Sequence, residues 1–180
     1  GYLIDGGVLS EKAVSRMAEA QLASDLLVSL VGGIQTVKNI EKYYREYEKY
    51  ESIPENMASS ISRYKEAMTF IGAIYTASDL KNTNWSRPHW FYTLFNCVTH
   101  ALSPVIGLDE YPRPNLTDNT IQHWRSELDE LSALYDGYTI NNDQDIPAVF
   151  AKFINYAQRR TTDTEARIGR AKFVLTALSA

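Results

Sequence analysis

Between Pro88 and Ser103 the chain reads Pro-His-Trp-Phe-Tyr-Thr-Leu-Phe-Asn-Cys-Val-Thr-His-Ala-Leu-Ser, without a single charged side chain. Pro88 suits a first helical turn, and Ser103-Pro104 ends the pattern. Phe91, Leu94, Phe95, Val98 and Leu102 share one face, while Trp90 and Cys97 occupy the other. A helix that is apolar nearly all round has no side to offer water, so others must enclose it. The segment near residues 88–103 is therefore expected at the centre of a bundle.

The surrounding sequence supplies helices to enclose it. From an expected cap at Ser10, Val14, Ala18, Leu22, Leu26 and Leu30 recur every four residues until Gly32-Gly33. Asn39 is placed to cap a second helix with Ile40, Tyr43, Tyr47 and Tyr50 on one face and Lys42, Arg45, Glu46 and Lys49 facing solvent. Pro54 opens the longest segment, where Met57, Ile61, Tyr64, Met68, Ile71 and Tyr75 alternate steps of four and three to about residue 77. After the central helix, residues 104–116 hold three of the six prolines and read as a rigid connection. Thr117 or Asp118 then starts a helix with Ile121, Trp124, Leu128, Leu131 and Tyr135, closed by Asp136-Gly137. Past the loop Asn141–Asp145, a helix from about Pro147 to Arg160 is expected to bury Val149, Phe150, Phe153, Ile154 and Ala157. Asp163 caps the last, with Ile168, Ala171, Leu175 and Leu178 inward. No segment alternates apolar and polar residues. The reading is an all-α, single-domain bundle of about seven helices over residues 10–180, preceded by an irregular segment at 1–9.

One cysteine, Cys97, excludes an internal disulfide, and three scattered histidines at 89, 100 and 123 give no zinc ligand set. No apolar run approaches the roughly 20 residues of a membrane helix, and the N-terminus lacks a signal-peptide pattern. A soluble, cytoplasmic protein without metal or cofactor is expected. The opening Gly1–Gly7 lacks a starting methionine and reads as a piece of something longer.

The net charge of −4 hides an asymmetry. Residues 105–150 carry nine acidic and two basic side chains, and residues 151–180 two acidic and six basic. Arg167 and Arg170 are three apart on one helix, and Arg159-Arg160 end the preceding one, a spacing that lets four arginines converge. Such a patch suits phosphates, which guanidinium groups bind through paired hydrogen bonds. Internal pairing, or neutralisation by the acidic stretch, accounts for the same residues.

Asn84-Trp-Ser-Arg-Pro-His-Trp-Phe-Tyr92 puts two tryptophans, Arg87 and His89 beside a helix start, a composition that suits an anion or base-stacking site. The competing reading has Ser86 as cap and the aromatic residues in the core. Asn96 and His100 lie one turn apart, which resembles the Arg-x(4–6)-His pattern of HEPN-type ribonucleases, but Phe95 stands where the arginine belongs. His100 is expected to be a satisfied core histidine. No catalytic residue is assigned.

The run Val8–Leu22, then Leu26-Leu27, Gly33 and Lys42-Tyr43-Tyr44, resembles the helical region of bacterial ParB-like domain-of-unknown-function proteins of the GmrS/GmrD type. Trp85-Ser86, Phe91-Tyr92, Arg159-Arg160, Arg167 and Arg170 extend the likeness over about residues 8–178. The resemblance implies a helical partner of an N-terminal ParB-like nucleotide-hydrolysing domain, in proteins linked to restriction of modified or foreign DNA. Asp5-Gly6-Gly7 stops short of that family's Asp-Gly-Gln-Gln-Arg motif, and no HNH set is present, so no catalytic residue carries over. The expectation is a non-catalytic helical domain of a bacterial anti-phage or restriction-like protein, contacting DNA through Arg159, Arg160, Arg167, Arg170, Lys172 and Arg87. Its expected partners are DNA, the ParB-like domain of the same protein and a second copy of the chain, with no membrane. The alternative is a protein interaction or oligomerisation module without nucleic-acid binding, which the tyrosine-rich second helix and the opposed charge segments suggest.

Overall fold

The computed structural model describes residues 1–10, 18–140 and 145–180. The expected first turn of the first helix, with Val14, and most of the loop Asn141–Asp145 lie outside the described residues. Those described form nine α-helices and no strand. They are α1 (Tyr2–Asp5), α2 (Ala18–Gly32), α3 (Ile40–Tyr47), α4 (Glu55–Ile74), α5 (Ala77–Lys81), α6 (Pro88–Leu102), α7 (Thr120–Ile140), α8 (Ala148–Gln158) and α9 (Thr164–Leu178). The protein is an all-α bundle.

Helix α6 is its axis: every residue from Trp90 to Ala101 is buried, as the uncharged segment requires. Helices α2, α4 and α9 pack directly on it. Trp90 meets Trp85, Tyr135 and Phe153 edge-on at centroid distances of 4.9, 4.9 and 5.1 Å, which joins α6 to α7, α8 and the turn before it. Edge-to-face contact lets four large rings share one volume. Trp85 also donates its indole N–H to the Leu128 carbonyl at 2.8 Å.

Three stretches depart from expectation for local reasons. The asparagine-rich stretch after α4 holds α5 and a 3-10 turn at Asn84–Ser86. Thr76 and Thr83 cap them by accepting from the N–H groups of Asp79 and Trp85. The N-cap of α6 is Arg87, not Ser86, whose hydroxyl turns back to the Thr83 carbonyl. Helix α7 passes through Gly137 to Ile140, because side chains on both sides of the glycine are held. Asp136 accepts from buried Asn84, and Tyr138 packs on Phe150 at 5.2 Å. Residues 1–9 carry the α1 turn and bury Leu3, Val8 and Leu9 in the same core as the bundle.

Arginines, more than glycines, satisfy the carbonyls left over at helix C-termini. Arg63 donates to the Leu30, Ser103 and Pro104 carbonyls and so ties the end of α2 to the end of α6. Arg113 donates to the last three carbonyls of α6, at His100, Ala101 and Leu102. Arg125 reaches the Ile74 carbonyl at the end of α4. Each guanidinium replaces solvent where a neighbouring element would exclude it.

Candidate functional site

The basic set at the C-terminal hairpin divides into an inner and an outer group. Arg167 and Arg170 face the core, only 3% and 0% exposed. Arg167 grips Asp25 of α2 in a bidentate pair at 2.8 and 2.6 Å, donates to the Gln35 carbonyl, and stacks 3.9 Å over the Tyr92 ring. Arg170 donates to Thr93 Oγ1 and to the carbonyls of Tyr156, His89 and Thr161. Burial, with the Arg167 charge beside it, pulls Arg170 down to about 10, so it stays a cation at neutral pH. The expected phosphate contacts at these two positions are therefore corrected: both guanidinium groups are buried and bonded inside the fold, with only Arg167 Nε unpartnered among the described residues, and phosphate does not reach them.

Arg170 nonetheless organises the outer group. Its Nη2 bonds the carbonyls of both Thr161, 2.8 Å away in the α8–α9 turn, and His89, 3.3 Å away at the start of α6. That shared nitrogen brings Arg87, the α6 N-cap, to the same end of the molecule as Arg159 and Arg160. All three are exposed. Among the described residues their guanidinium groups make no hydrogen bond or ion pair, and Arg87 only leans over the Tyr135 ring at 5.5 Å. Arg160 holds the left-handed conformation that glycine usually takes after a helix, with φ 49°. Lys172 stands apart, two turns along α9, with its Nζ 5.6 Å over the Tyr111 ring.

The aromatic cluster beside Arg87 offers no stacking surface, since Trp85 and Trp90 are fully buried. His100 sits in the core as expected: its Nδ1 accepts from the Val105 N–H at 3.1 Å, which leaves Nε2 to donate to the Tyr111 carbonyl at 3.2 Å. His89 differs. Burial, reinforced by Arg170 and Arg87, drives it down to about 4, and its Nε2 has no partner among the described residues. The imidazole is neutral at physiological pH. Cys97 is fully buried, which raises its thiol far above the ordinary range and keeps it unreactive. Among the described residues no cluster of His, Cys, Asp and Glu could hold a metal ion.

A second feature was not foreseen. Val149, expected in the core, is 68% exposed and lines a groove of about 960 Å³ between α8 and α9. On the groove wall Gly169 lets the two helices close on each other at the Tyr156 ring, where a side chain on residue 169 would collide. The apolar stripe of α8 is wider than the side it buries, and periodicity alone does not distinguish the two parts. Asp25 was also missed. A carboxylate on the same helical face as Leu22 and Leu26 was the available sign of a buried partner.

No family model, curated protein or solved structure matches this chain. Among the described residues, no single helix is long and apolar enough to cross a membrane.

Proposed function

We propose that this chain is a non-catalytic helical domain of a bacterial DNA-targeting defence protein, supporting a ParB-like domain and touching DNA at its Arg87–Arg159–Arg160 end. One observation carries the DNA contact: among the described arginines, these three alone keep all their donors free, and the Arg170 pin gathers them at one end. The resemblance over residues 8–178 supports the protein class. With a net charge of −4, the chain as a whole repels DNA, so contact is confined to this end and depends strongly on salt.

The test is fluorescence anisotropy with a short DNA duplex across a salt series. Replacing Arg87, Arg159 and Arg160 by glutamate should weaken binding and flatten the log–log salt slope by about 2–3, near 0.9 for each phosphate no longer neutralised. An unchanged slope, or no binding by the parent protein at low salt, would overturn the DNA contact. The second reading, an interaction module without nucleic-acid binding, is favoured by the open groove beside Val149.

A further inference from the structure

The α8–α9 groove has the form of a helix-docking site. Phe153 and Phe173 form part of its lining, with ring centroids 4.8 Å apart, and Val149 stands at its edge with most of its surface open. Along α9 the lining runs from Glu165 to Ala177, about three helical turns or roughly 18 Å at 1.5 Å per residue. Of the large apolar lining residues, Val149 is largely exposed and Ile168 and Phe173 are half-buried, which leaves an apolar strip along the groove open to a partner. A groove between two helices suits the apolar stripe of a third helix better than a flat bilayer.

The charges on the walls select the occupant. Lys152 on α8 and Lys172 on α9 both line the groove, both are exposed, and neither joins an ion pair among the described residues. Glu165, the one acidic lining residue, accepts from the Tyr156 hydroxyl at 3.4 Å and keeps its charge, so two lysines stand against one carboxylate. The net charge of the groove lining is positive. We infer that the α8–α9 groove docks an amphipathic helix of a partner protein, whose apolar stripe covers Val149, Ile168 and Phe173 and whose flanking carboxylates meet Lys152 and Lys172. Opposite charges at the edge of an apolar contact set register and reject wrong partners more than they add affinity.

The inference is tested on the whole 180-residue protein with two fluorescein-labelled synthetic peptides of about 18 residues. Both carry the same leucine stripe at helical spacing; glutamates flank it in one and lysines in the other. The glutamate peptide should bind at least about tenfold tighter. The double variant Lys152→Glu/Lys172→Glu should reverse that order, and Val149→Glu should weaken both peptides. All three positions are exposed, so circular dichroism should be unchanged. Equal binding of the two peptides, an order the double variant leaves intact, or no binding would overturn the inference. So would sedimentation showing a dimer that Val149→Glu dissociates, since a second copy would then be the occupant. Displacement of the glutamate peptide by a fluorescent fatty acid, with that preference lost in the double variant, would instead assign the groove to a small amphiphile and overturn it too. The lysines lie outside the arginine end, so these outcomes do not depend on DNA binding.

Discussion

An arginine on a helix reads alike in a sequence whether its guanidinium ends in water or in the core. Arg167 and Arg159 are separated by what faces them: Asp25 meets one, and among the described residues no ion pair meets the other. A buried ion pair is held by mutual compensation, and removing one member leaves the other uncovered. Asp25→Ala should therefore cost about 3–5 kcal/mol in urea unfolding, whereas the double replacement Asp25→Leu/Arg167→Met should cost much less than the sum of the single changes. His89 sets a pH dependence. Its folded value of about 4 lies below the ordinary 6.5, so the unfolded chain binds more protons between them. The His89 contribution is fully present above pH 6.5 and is lost as pH falls toward 4, a span worth roughly 2 kcal/mol after discounting for partial exposure of the ring. Melting temperature in His89→Gln should accordingly fall less steeply over that window than in the parent; parallel curves would exclude the histidine as the cause.

At the scale of elements, two glycines make opposite predictions. Gly72 lies inside α4 with open space where a Cβ would go, so Gly72→Ala should stabilise the protein by about 0.5–1 kcal/mol. Gly169 lies inside α9 against the Tyr156 ring, so Gly169→Ala should destabilise it by about 1–3 kcal/mol and push α8 outward. Urea midpoints decide both. The contrast marks what was legible in the sequence. Helix α6 could be read because lack of charge on all sides leaves only one location for it, and α4 because its apolar steps persist for five turns. The short α5 and the turn at Asn84 could not, because Thr76, Thr83 and Asn84 cap and anchor them through residues that also make loops. The arginine set was visible as a run of charges. Its division into pins and free groups was not, because that depends on Asp25, Thr93 and carbonyls distant in the chain. Val149 failed for a related reason: an apolar residue on a helix names a face and not what lies across from it.

The whole molecule is built around one helix, and this shapes how it should unfold. A single cluster of buried side chains runs from Leu3 to Leu178, and α6 touches α2, α4 and α9 within it. Losing any of these helices exposes α6, which has no polar face to present to water, so partial opening in the core costs nearly as much as complete unfolding. Trp85, Trp90 and Trp124 are all buried in this cluster and report on it together. Helix α3, eight residues long, is more weakly held, with Ile40 its one buried residue. Tryptophan fluorescence should therefore show a single transition in urea, and far-ultraviolet circular dichroism should follow the same curve apart from a small early loss from α3. A tyrosine-only signal from Tyr44 and Tyr50, both more than half exposed, should move before the tryptophans. If instead the tryptophan curve splits into two transitions, the α8–α9 hairpin opens independently of α6. The Arg170 pin would then be too weak to hold Arg87 beside Arg159 and Arg160, and the proposed DNA-facing end would lose its structural basis along with the cooperativity.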